Sequence, residues 1–189
     1  VVKRVGVLGI QGAIEKHLAM LASVGAEGVR VLGKDDLAGI DALVLPGGES
    51  TTISKGLDRL GLVAPIRDFA RAGRPVFGTC AGAILLARRC ENHPVPTLGL
   101  LDVTARRNAY GTQVDSFSAE VDPGGAPGLA GFRCIFIRAP QLAEPGPAVE
   151  VLAEVDGLPV LVREGHVMAS TFHPELGHDD RVHRMLLEL

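Results

Sequence analysis

Residues 78–82 read Gly-Thr-Cys-Ala-Gly, between the β-rich run 74–78 (RPVFG) and the apolar stretch 83–87 (AILLA). A nucleophile flanked by glycines at a strand-to-helix junction is the pattern of a nucleophile elbow, here with cysteine in place of serine. The glycines let the chain turn sharply and hold the apical side chain outward. Cys80 then stands at a helix N-terminus, where unpaired N–H groups and the helix dipole favour thiolate over thiol. The N–H of Ala81 would face an oxyanion formed next to the sulfur. The alternative is a buried cysteine beside two packing glycines.

A nucleophilic thiolate needs a base and a group to orient that base. His173-Pro174-Glu175 follows the strand-like run 168–172 and leads into a turn. Positions two apart in extended chain share a side, so Glu175 can hydrogen-bond the His173 ring and set its tautomer, completing a Cys-His-acid triad. Alone, the same tripeptide reads more readily as a surface turn, and the elbow in the same chain reverses that balance. Pro46-Gly47-Gly48-Glu49-Ser50 directly follows the apolar run 41–45 (DALVL). Paired glycines let backbone approach a ligand, and Gly48 is the simplest source of a second oxyanion donor. Sharp strand-to-helix turns of any function also favour Gly-Gly.

These segments need a frame that brings them together. Residues 3–10 (KRVGVLGI), 27–32 (EGVRVL), 41–45 and 74–78 predict short buried strands. Between them, Ile14, Leu18 and Leu21, then Ile53, Leu57 and Leu60, then residues 65–72 carry helical spacing. Ser50 or Thr51 is placed to cap the second helix. Short apolar strands alternating with helices imply a mostly parallel sheet covered on both faces. After about residue 98 the pattern changes to alternation in 113–121, a β-rich 132–137, and a meander over 151–155, 159–163 and 166–172 with turns at Asp156-Gly157 and Glu164-Gly165. Residues 179–189 predict a closing helix. The expected fold is three-layer α/β, with antiparallel additions in the C-terminal half and residues 1–189 forming one domain.

The composition excludes several classes. A formal net charge of −3 does not supply the basic face that phosphate-backbone binding needs. No apolar run reaches the ~18 residues of a membrane span. With 47% hydrophobic and 22% charged residues, the chain is not a disordered tail. The N-terminus lacks the apolar core of a signal peptide, and three cysteines do not make a disulfide framework. A reducing, cytoplasmic setting is expected.

Taken together, residues 78–82 (GTCAG), 46–50 (PGGES) and 173–175 (HPE) resemble the class I, or triad, glutamine amidotransferases. Residues 7–13 (VLGIQGA), 45–52 (LPGGESTT), 77–82 (FGTCAG), Arg107-Asn108, 113–117 (QVDSF), 136–140 (FIRAP) and 172–176 (FHPEL) are similar to the glutaminase subunit of pyridoxal 5′-phosphate synthase, in order along nearly the whole chain. The resemblance implies glutamine hydrolysis with Cys80 as nucleophile, His173 as base and acid, and Glu175 as the orienting carboxylate. It further implies a glutamine pocket lined by Gly48, Glu49, Ser50, Arg107, Ile137 and Arg138, an oxyanion hole from Gly48 and Ala81, and Gln11 near the partner contact. No cofactor is implied. The implied partner is a separate synthase subunit that receives ammonia. Two other readings stand beside it: the glutaminase of histidine biosynthesis (imidazole glycerol phosphate synthase), and a non-catalytic regulatory module of the same fold. Arg106 stands where that family has an acidic residue.

The remaining candidates point to packing. Cys134 alternates with Phe132 and Phe136, and Cys90 closes an apolar helix. His17, beside Leu18 and Leu21 on the first helix, is expected at the boundary between core and surface, and His166, His178 and His183 join no constellation. Neither Cys90 with His93 nor His173 with His178 reaches four ligands at a recognised spacing, so no metal site is expected.

Overall fold

A computed structural model describes residues 1–109 and 116–189. The chain runs β1 (Arg4–Leu8), α1 (Ile14–Ser23), β2 (Glu27–Val31), β3 (Ala42–Leu45), α2 (Ser50–Arg59), α3 (Val63–Arg71), β4 (Val76–Thr79) and α4 (Ala81–Leu86). It continues through β5 (Ala87–Glu91), β6 (Leu101–Arg106), β7 (Ser116–Glu120), β8 (Arg133–Ile137), β9 (Gln141–Ala143), β10 (Glu150–Val155), β11 (Leu158–Glu164), β12 (Val167–Ser170) and α5 (Arg181–Glu188). Seven strands form the central sheet in the order β10-β11-β12-β4-β3-β1-β2. Its β12-β4-β3-β1-β2 part is parallel, and β10 and β11 join antiparallel through the two predicted turns. The expected three-layer architecture is therefore the observed one.

Alternation along the strands divides the core. Leu43, Leu45 and Val76 face α2, α3 and α4 on one side, packing with Ile53, Leu57, Ile66 and Leu85. Val5, Val7, Val44, Phe77 and Met168 face the other side, against α1 and α5 and the β7-β8 pair, through Leu21, Val182, Leu186, Phe136 and Phe172. Successive strand residues point to opposite faces, so each short run feeds both layers. No helix is long and apolar enough to cross a membrane, among the described residues.

Two local expectations need correction. Cys90 lies on β5, half-buried, and does not end a helix. Helix α4 is six residues long, and its C-cap Ala87 is already extended, so one apolar run passes from helix into strand. Periodicity alone does not separate the two in so short a run. The cap of α2 is Glu49, whose carboxylate accepts from the N–H groups of Thr51 and Thr52. The strand pairs β5-β6 and β6-β9 form a separate small sheet that the sequence pattern did not reveal.

Candidate active site

Sheet register assembles the site. Thr79 of β4 pairs with Ser170 of β12, and Leu45 of β3 pairs with Gly78 of β4. The residues just past these pairs are Cys80, the His173 turn and the Gly47 loop. All three leave the carboxyl ends of parallel strands at the middle of the sheet, where α/β folds place their binding crevice.

Cys80 occupies the strained apex foreseen for it, with φ 52° and ψ −104° at the N-cap of α4. Such a conformation costs about 1–3 kcal/mol and persists only where surrounding structure imposes it. Here its N–H donates to Ser170 O at 2.8 Å. Behind it the helix approaches β3 so closely that a Cβ on Gly82 would stand 2.0 Å from Leu45 O. The sulfur lies 3.8 Å from Ile137 O.

His173 is 8% exposed, and its backbone N–H donates to Ile135 O at 2.8 Å. Its Nδ1 lies 2.7 Å from Glu175 Oε1, the contact expected from their spacing. Glu175 itself is buried, in a single turn of 3-10 helix over Pro174–Leu176. Burial opposes charge on His173, but hydrogen bonds and charge from Cys80 and Glu175 outweigh it and raise the imidazole to about 10. His173 therefore keeps its proton at neutral pH and is hydrogen-bonded between the sulfur and Glu175.

The loop after β3 is pinned on three sides. Gly47 N–H donates to Thr79 Oγ1 at 3.1 Å, and Gly47 O accepts from Ala13 N–H at 3.1 Å. Glu49 N–H donates to Gln11 Oε1 at 2.8 Å. Gln11 thus ties the first strand-helix turn to this loop. The peptide between Gly47 and Gly48 is trans, so its N–H points away from Ala13 and the start of α1.

A cavity of about 200 Å³ opens at the sulfur, lined by Gly48, Glu49, Ser50, Cys80, Ala81, Ile84, Arg107, Asn108, Arg138 and Pro140. Arg107 is 3.6 Å from Glu49 Oε1 and donates to His93 O. Glu49 is drawn down to about 2, chiefly by the Thr52 hydroxyl, with burial opposing and the backbone N–H groups of Thr52 and Thr51 adding to the fall. Arg138 has left-handed backbone, φ 44°, which turns the chain out of β8 toward the cavity. Fixed charges of both signs at one small opening suit a zwitterionic ligand. A larger cavity of about 830 Å³ lies beside it toward α2 and α3 and shares Arg107, but contains none of Cys80, His173 or Glu175.

The sequence-predicted residues Cys80, His173, Glu175, Gly48, Glu49, Ser50, Ala81, Arg107, Ile137 and Arg138 thus converge on one crevice, with Gln11 one hydrogen bond away. Residues 113–115 of the 113–117 segment lie outside the described residues. Arg106 turns its charge elsewhere, 3.1 Å from Glu91 and 4.0 Å from Glu144. Gly47 and Thr79 went unremarked in the sequence, although both lie inside motifs already singled out. Gly47 packs against the imidazole, and Thr79 holds Gly47. His17 and His183 need correction: both are fully buried, with His17 Nδ1 3.0 Å from His183 Nε2. A histidine beside Leu18 in a one-dimensional pattern does not show that the sheet closes over it.

Known proteins share this frame. The chain is 47% identical over 186 residues to pyridoxal 5′-phosphate synthase subunit PdxT of Geobacillus thermodenitrificans, covering 98% of this chain and 94% of that one. It is 48% identical over 186 residues to the protein of the same name from Thermotoga petrophila, covering 98% of each. A crystal structure of a glutamine amidotransferase superposes with a TM-score of 0.91 at 46% identity, over 97% of both chains. The structure of PurLQS from Thermotoga maritima shares the fold, with a TM-score of 0.72 at 18% identity over 100% of this chain and 99% of that one. The profile of the SNO glutamine amidotransferase family matches residues 7–189, and the chain belongs to that family.

Proposed function

We infer that this chain is the glutaminase subunit of a pyridoxal 5′-phosphate synthase, a single catalytic domain that releases ammonia from L-glutamine for a separate synthase subunit. The observation that carries this reading is the contiguous Cys80, His173 and Glu175 arrangement, at the mouth of a cavity with charges of both signs. The similarity to proteins named as subunits of that synthase supplies the partner.

The steps follow from the groups present. The Cys80 thiolate attacks the side-chain amide carbon of glutamine, and the carbonyl oxygen becomes an oxyanion facing the N–H groups of Ala81 and Gly48. Each such donor contributes about 3–4 kcal/mol to the transition state. His173 gives its proton to the departing nitrogen, the C–N bond breaks, and ammonia leaves a thioester. His173 then takes a proton from water as the water attacks the thioester, and glutamate departs with the sulfur restored. Glu175 keeps the ring oriented and its charge balanced throughout. Glu49, Arg107 and Arg138 offer the α-ammonium and α-carboxylate of glutamine their counter-charges.

Free ammonia is protonated in bulk water and loses its nucleophilicity, so the product is useful only to a docked acceptor. Gln11 holds the loop at Glu49, which supports a role for it in linking the partner contact to the oxyanion donors. Three unpaired cysteines agree with a cytoplasmic setting. The test is glutamate release from glutamine with and without the synthase subunit. Activity in the complex that disappears in Cys80→Ala is the expected result; a Cys80→Ala complex that still releases glutamate would sink the mechanism.

A further inference from the structure

A polar chain runs from the last helix inward to Glu175, and its first two members take no part in the chemistry above. His183 on α5 and His17 on α1 are both 0% exposed. His183 Nε2 is 3.0 Å from His17 Nδ1. The other nitrogen of His17, Nε2, is 3.2 Å from Thr79 Oγ1 and 3.5 Å from Glu175 Oε2. Glu175 Oε2 has no hydrogen-bond partner among the described residues, whereas Oε1 holds His173. A buried carboxylate oxygen facing no donor is costly, so what His17 presents to it matters.

A neutral imidazole has one donor nitrogen and one acceptor nitrogen. Two arrangements of the pair follow. In the first, His183 Nε2–H donates to His17 Nδ1, and His17 Nε2–H points between Thr79 Oγ1 and Glu175 Oε2. In the second, His17 Nδ1–H donates to His183, and His17 Nε2 accepts from the Thr79 hydroxyl and presents no N–H to Glu175 Oε2. The second arrangement also buries an N–H at His183 Nδ1, which has no partner among the described residues. The first leaves only a lone pair there and sets a donor against the carboxylate.

We propose that His17 and His183 form a neutral dyad, each protonated at Nε2, that holds the Glu175 carboxylate and so sets the His173 ring. Both are positioning residues for glutamine hydrolysis, and the proposal rests on the triad reading above. Burial keeps the rings uncharged. It lowers His17 well below its ordinary value, helped by the neighbouring His183 and His173, and lowers His183 to about 4 against an opposing pull from Asp180. Phe77 packs edge-on to His183 at 6.1 Å and fixes its plane.

Two experiments decide it. In the full chain alone, NMR of the histidine ring nitrogens identifies which one carries hydrogen. Nε2–H on both His17 and His183 is expected; Nδ1–H on His17 overturns the proposal, whatever the fate of any variant. The second experiment uses the complex with the synthase subunit. His17→Gln keeps an amide N–H near the place of Nε2, whereas His17→Asn keeps a group toward His183 and withdraws the one toward Glu175. His17→Asn is expected to lose on the order of 100-fold in kcat, with KM for glutamine unchanged, and His17→Gln to recover most of that loss. The pH profile of Cys80 alkylation by iodoacetamide reads His173, which Cys80, Glu175 and His17 face. Its alkaline limb moves to lower pH in His17→Asn and stays in place in His17→Gln. Equal kcat and equal profiles for the two folded variants overturn the proposal. A wild-type complex without glutaminase activity defeats the functional reading instead, and the NMR result still decides the dyad.

Discussion

Gly47 lies flat against the imidazole of His173: a Cβ on Gly47 would stand 2.6 Å from His173 Cε1, 3.1 Å from Nδ1 and 3.4 Å from the Cβ of Cys80. Register accounts for the contact, since β3, β4 and β12 end side by side and send their next residues into the same crevice. The backbone at Gly47 is not in the left-handed region, so alanine is acceptable to the loop and intolerable to the ring. Gly47→Ala is therefore expected to fold and to push the imidazole off the sulfur. A displacement near 1 Å in a catalytic group costs on the order of 100-fold. The check is kcat in the synthase complex, beside a circular-dichroism spectrum that matches the wild type and a melting point lowered by the lost contacts of His173.

His173 gives stability a definite pH dependence. Its folded value, about 10, lies above the ordinary 6.5. The folded state therefore holds a proton that the unfolded state releases earlier, and stability falls as pH rises between them. The contribution is complete below about 6.5 and gone above about 10. Urea unfolding of the wild type and of His173→Gln from pH 6 to pH 10 measures it. Wild type is expected to lose more stability than the variant over that range; parallel curves contradict an imidazolium at the resting site.

The parts of this molecule legible in the sequence are those where one residue type leaves little choice. Cys80 between glycines, and His173 two residues before Glu175, carry their geometry in their spacing, because a strand end and a sharp turn fix where the side chains point. The parallel half of the sheet was readable for a similar reason, since β1, β3 and β4 are short apolar runs bounded by Gly or Pro. The place of Cys90 is not legible because the five-residue apolar run before it, 83–87, fits helix and strand alike. The His17 and His183 pair was invisible because 166 positions separate them. Only the packing of α1 and α5 on the same face of the sheet brings them together. Gly47 was visible as a glycine, but its reason, the ring lying against it, exists only in three dimensions.

The three thiols are expected to separate by reactivity. Cys134 is fully buried between Phe132 and Phe136, and burial pushes its thiol up to about 12. At neutral pH it has almost no thiolate and no access, so it stays inert. Brief iodoacetamide treatment of the folded complex, followed by peptide mass spectrometry, should find label on Cys80, some on the half-buried Cys90 and none on Cys134. Prior incubation with an electrophilic glutamine analogue should protect Cys80 alone. Label on Cys134 under native conditions would contradict the packing of β8.

Glu49 has two duties that one pair of substitutions can divide. Its carboxylate caps α2, accepting from Thr51 N–H at 3.1 Å, Thr52 N–H at 2.6 Å and the Thr52 hydroxyl at 2.7 Å. The same carboxylate stands 3.6 Å from Arg107 at the cavity. Its folded value of about 2 lies below the ordinary 4.5. The capping contribution is therefore present above pH 4.5 and lost as pH falls through about 2. Glu49→Asp shortens the side chain but keeps a carboxylate at an N-cap, a residue favoured there, so stability should change little. Glu49→Ala removes the cap at a cost of about 1 kcal/mol. Both variants withdraw the charge from Arg107, so both should raise KM for glutamine while leaving alkylation of Cys80 unaltered. A Glu49→Asp protein with full stability and unchanged KM would show that the residue caps the helix and does nothing for the substrate.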